Sequence, residues 1–145
     1  MTTIFDDAAR AELVARLARL TPEASPRWGG LDAPRVLVHL ADSVRAALGE
    51  VESTVGTGPT SWPGLRWLAM NIPLPRGVTG PPEAFRTPPG DFEDDRRELV
   101  GLLEKLVVHE CEQWPGHVVF GPMTRDDWGC FTHKHLDHHL RQFGV

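Results

Sequence analysis

The chain has 145 residues, 41% of them hydrophobic and 24% charged, with a net charge of −5. That length suits a single domain, 1–145, around one core, and the negative balance leaves no basic footprint for nucleic acid or an anionic membrane. No stretch approaches the length of a membrane span, and Thr2 to Asp7 are too polar for a leader, so the expected location is cytoplasmic.

Residues 3 to 20 carry the first helical pattern. Phe5, Ala9, Leu13, Leu17 and Leu20 make an apolar stripe, with Arg10, Glu12, Arg16 and Arg19 on the other sides. Thr21-Pro22 and Ser25-Pro26 stop it. Trp28-Gly29-Gly30 is a turn that carries an aromatic lid for the core. Asp32 then caps a second helix with Pro34 in its first turn, and Gly49 ends it. On this helix His39 shares a face with Val36, Leu40, Asp42, Ser43 and Ala46. Asp42 and Ser43 are either partners that orient His39 or ordinary solvated positions.

Eight of the thirteen prolines fall between residues 52 and 90, which makes this stretch a long ordered connection. Its centre, Ser61 to Asn71, suits a short helix, and Trp62 and Trp67 are expected to pack it onto the body as a lid over one end. A third long helix is predicted from Asp91 to His109, burying Leu99, Leu102, Leu103 and Leu106. Residues 110 to 123 form a connector, with His117 as a turn residue and Val118 to Phe120 as a short extended piece. Cys111 and Cys130 form no CxxC pair and are expected as free thiols.

The last helix is predicted from Thr124, with Asp127 completing a capping box and Gly144 ending the run. At about 100° per residue, Phe131, Thr132, His135, His139, Gln142 and Phe143 gather around Trp128 on one face. His133 and His138 fall at its edges, and Cys130 points outward. His135 and His139 therefore stand one turn apart in the middle of a buried face. That is half of a metal site, or else a pair of bonded core histidines. Four amphipathic helices with one long crossover between the second and third give an all-α, four-helix-bundle class. In such a bundle His39 on the second helix can meet His135 and His139 on the fourth. Three imidazoles with one open position make a zinc-type catalytic site rather than a structural one.

Three segments are similar to a known family. They are Trp28-Gly29 with Val38-His39-Leu40-Ala41-Asp42-Ser43, the Leu74-Pro75-Arg76-Gly77 piece, and Phe120 to Thr124 leading through Trp128-Gly129 to His135 and Val145. Together they span most of the chain, and it resembles the DinB-like superfamily of metal-binding four-helix bundles, closest to a bacterial branch of undetermined activity. The resemblance implies a divalent metal, zinc or nickel, on His39, His135 and His139, with Gln142 matching a family glutamine beside the site. It also implies a homodimer. Characterised relatives act on small molecules with low-molecular-weight thiols, as S-transferases or an isomerase.

Two functions follow as expectations. One is a metal-dependent enzyme acting on a small molecule, either a thiol-dependent S-transferase or a hydrolase. It would use the metal's open position for a thiol or a water. No general base stands out in the sequence, and Asp42 is the candidate. The other is a non-catalytic binding or stress-response protein of the same fold, its metal vestigial or absent.

Overall fold

The computed structural model describes residues 1–77, 80 and 85–145. Pro81 and Pro82 of the expected lid lie outside the described residues. Among those described there are five α-helices and no strand, so the fold is all-α. The helices are α1 (Asp7–Leu17), α2 (Ala33–Ala47), α3 (Pro63–Asn71), α4 (Phe92–Val107) and α5 (Arg125–Gln142). None of them is long and apolar enough to cross a membrane.

Short polar side chains start the four long helices. Asp6 accepts from the Ala9 amide at 2.8 Å, Asp32 from Arg35 at 2.9 Å, and Asp91 from Glu93 and Asp94 at 3.0 Å. Thr124 and Asp127 exchange side-chain bonds with each other's backbone, which closes the capping box of α5.

Helix α1 is shorter than the periodicity of residues 3–20 suggests. At its start, the Ile4 amide is drawn off to the Gly129 carbonyl at 3.0 Å, so the segment before Asp6 docks on α5 instead of coiling. At its end, Arg19 and Leu20 tighten into three-residue turns. Gly49, with φ of 72°, stops α2.

The leucine stripe of α4 packs on α2, while α1 and α2 both pack on α5. Helix α2 is thus sandwiched, and ten of its fifteen residues are buried. That position turns one of its faces, with His39, toward α5.

Two expectations need correction. Helix α3 forms, but Trp62 is 61% exposed and Trp67 66%. The helix docks through buried Met70, through Lys134 donating to the Ala69 carbonyl at 2.8 Å, and through Arg66 donating to the Pro122 carbonyl. The second correction concerns Val118 to Phe120. They form a tight turn closed by mutual backbone bonds between His117 and Gly121, not an extended strand. Within it His117 Nδ1 accepts from the amides of Val119 and Phe120, at 3.0 and 3.3 Å, which leaves no run of peptide groups to pair with a neighbour.

Candidate metal centre

The pairing of α2 with α5 brings His39, His135 and His139 together. One ring nitrogen from each lies within 4.8 Å of the other two. His39 Nε2 and His135 Nε2 are 2.9 Å apart, and their rings meet edge to face. His39 and His135 are buried and His139 is half-buried.

The far side of each α5 ring is held by another side chain. His135 Nδ1 meets Ser43 Oγ at 3.2 Å. His139 Nδ1 meets Gln142 Oε1 at 2.7 Å, while Gln142 Nε2 donates to the Trp28 carbonyl at 2.7 Å. This last chain fixes a tautomer. The carbonyl of Trp28 can only accept, so the amide nitrogen of Gln142 faces it and the amide oxygen faces His139. His139 must therefore carry its proton on Nδ1, leaving the Nε2 lone pair bare toward the cluster.

Burial suppresses the charged forms of the two α5 rings. It is the main cause that holds His135 well below the ordinary histidine value, with the neighbouring His39 and His139 adding to it. The same two causes, burial first and His39 second, bring His139 down to about 3, against a weaker opposing push from Gln142. Neutral imidazole is the form that binds a metal. Tetrahedral ligation at the usual zinc–nitrogen length puts neighbouring nitrogens roughly 3.3 Å apart, close to the His39–His135 spacing, and three imidazole donors suit a cation of that size.

The remaining predicted residues fall as follows. Ser43 reaches His135 rather than His39. Asp42 is a correction: its carboxylate is bound by Arg45 at 2.7 Å and by the Thr87 hydroxyl and amide at 2.7 and 3.2 Å. It pins the returning crossover to α2 and is not placed to serve as a base. His133 lies outside the trio. His138 sits at the rim, its ring 5.2 Å from that of His139 and 5.6 Å from Trp28. Cys130 is half-buried rather than outward, because α3 covers that side of α5. His117 packs its ring on Trp128 and Phe131 and is no ligand.

Phe85 was not foreseen. Its ring stacks on His39 with centroids 4.9 Å apart and planes 13° from parallel. No apolar periodicity in the sequence marks it. The Trp28 carbonyl was also missed, although Gly29 beside it carries a signal. Its φ is 74°, and a Cβ there would come within 3.1 Å of Gln142 Nε2. Beside His39 lies a cleft of about 310 Å³, lined by α2 and by residues 85–89 of the crossover.

A family model matches residues 4–144 of the chain. The chain belongs to the family described as "protein of unknown function (DUF1569)". No curated protein and no solved structure matches it. In this DUF1569 chain, then, the side chains themselves must carry the functional reading.

Proposed function

We propose that this DUF1569 protein is a divalent-metal-dependent enzyme of the DinB-like four-helix-bundle type, acting on a small molecule as a thiol-dependent S-transferase or a hydrolase. The observation that carries the reading is the convergence of three imidazoles from two helices, with His139 Nε2 bared by the Gln142–Trp28 relay. His39, His135 and His139 would hold the ion, zinc or nickel by the chemistry of the donors. A cation so held supplies Lewis acidity, which makes a water or a thiol nucleophilic near neutral pH. The chain's own part is to keep the α5 rings neutral, to aim them through Ser43 and Gln142, and to exclude bulk water with Phe85 and Phe131, which stack on His39 and His135. The reading is of a cytoplasmic protein, in keeping with the free thiols of Cys111 and Cys130. It is also of a homodimer, supported by the exposed apolar side chains of α3.

A second reading rests on Phe85. A ring stacked on His39 narrows access to that ligand, which favours a non-catalytic binding protein whose histidine cluster is vestigial or structural.

Elemental analysis of tag-free protein tests the first reading, beside His39→Ala, His135→Ala and His139→Ala. The expectation is roughly one metal ion per chain, lost in all three variants. Protein that stays metal-free after incubation with zinc or nickel refutes it.

A further inference from the structure

The cleft beside His39 has a composition that the metal centre does not explain. Its apolar lining comes from Val38, Phe85 and Pro88, and its charge from Arg35 on α2 and Arg86 on the crossover. No carboxylate lines it among the described residues. The two guanidiniums are only lightly engaged. Arg35 pairs with Asp32 at 3.4 Å, an exposed contact within one helical turn that holds little energy. Arg86 gives one N–H to the carbonyl of Glu52, which carries no net charge. On a chain of net charge −5, this is a local positive concavity with apolar walls, which concentrates field lines toward an anion.

We infer that this cleft binds a small organic anion, a carboxylate or similar group on a compact apolar body. The apolar part would lie against Phe85, Val38 and Pro88, and the charge would meet Arg35 and Arg86. At about 310 Å³ the cleft is at the small end of ligand sites. Because His39 lines it as well as the metal cluster, the anion would sit next to the metal. As an assignment of substrate class the inference rests on the metal-enzyme reading; as a binding site it does not. The three histidines bring no negative charge of their own, so an anionic substrate would also offset the charge of a divalent ion.

The test uses benzoate as the probe and benzamide as its neutral counterpart of nearly the same shape. Tag-free protein freed of metal with EDTA is titrated with each and followed by amide resonances in two-dimensional NMR. Saturable shifts at Val38 and Thr87 are expected with benzoate, and binding at least about tenfold weaker with benzamide. Arg35→Gln and Arg86→Gln should each weaken benzoate about threefold, the double variant about tenfold, and added salt should act in the same direction. Both positions are exposed, so circular dichroism should match the unsubstituted chain. Equal binding of the two probes, or benzoate binding unchanged in the double variant, overturns the inference. His135→Ala separates the two readings. Benzoate binding retained in that variant, alongside absent metal in the unsubstituted protein, keeps the cleft and removes the metal enzyme. Bound metal with no benzoate response does the reverse.

Discussion

Gln142 divides one amide between two elements, and its replacement tests whether orientation matters. Gln142→Ala frees the His139 ring and orphans the Trp28 carbonyl. Metal affinity should fall about 10- to 100-fold while stoichiometry at saturating metal stays, as read by competition with a chromophoric chelator. An unchanged affinity would mean that the relay does not aim the ligand. The pattern of α5 showed that Gln142 was on the buried face, and the resemblance put it beside the site. Its tie to Trp28 was not legible, because it joins residues 114 positions apart across a turn. His117 makes a second test. Burial lowers it from the ordinary 6.5 to about 4, so the folded state favours the neutral ring. Its contribution is then fully present above about pH 6.5 and is lost as pH falls toward 4, amounting to about 3 kcal/mol. Protonation would also remove the Nδ1 acceptor that holds Val119 and Phe120. Urea unfolding of His117→Gln between pH 7 and 4 should show that much less loss of stability than the unsubstituted chain. Parallel curves would place the titration elsewhere.

At the scale of elements, helix starts were legible and helix ends less so. Asp32, Asp91 and Thr124 cap where an acceptor side chain precedes an apolar-periodic run, and that local signal survives in the fold. The start of α1 was misplaced because its limit is tertiary. Ile4 leaves the helical pattern to bond Gly129 on α5. Gly129 is also where α5 lets the N-terminal segment approach. A Cβ there would lie 2.3 Å from Thr3 Oγ1 and 2.4 Å from the Phe5 ring. Helix propensity alone favours Gly129→Ala by roughly 1 kcal/mol. The clash should outweigh this and leave a net loss of about 1–3 kcal/mol in denaturant unfolding. A stabilised variant would show that the segment docks loosely. The turn at His117–Gly121 was missed for a similar reason, since an apolar triplet reads alike in a strand and in a tight turn.

At the scale of the whole molecule, periodicity tells which face of a helix is buried but not which helix buries it. Four long amphipathic patterns were enough for an all-α class. The meeting of His39 with His135 depends on α2 lying against α5, 96 residues away in sequence. The crossover misled because tryptophan is ordinarily a core residue, and here α3 turns its apolar side out. Leu65, Trp67, Leu68 and Ile72 are exposed while Arg66 is half-buried. A face of this kind, with no charge among those four side chains, brings no like charges together when two copies meet about a two-fold axis. Self-association through α3 is therefore the expected behaviour of the protein, with light scattering giving twice the 16.1 kDa chain mass at micromolar concentration. The double variant Trp67→Glu with Leu68→Glu should run at the single-chain mass with unchanged helical content, because α3 is anchored from its other side by Met70 and by the bond from Lys134 to Ala69. A monomer without substitution removes the dimer from the proposal. A dimer that survives both glutamates moves the interface away from α3, and the exposed tryptophans would then need another partner.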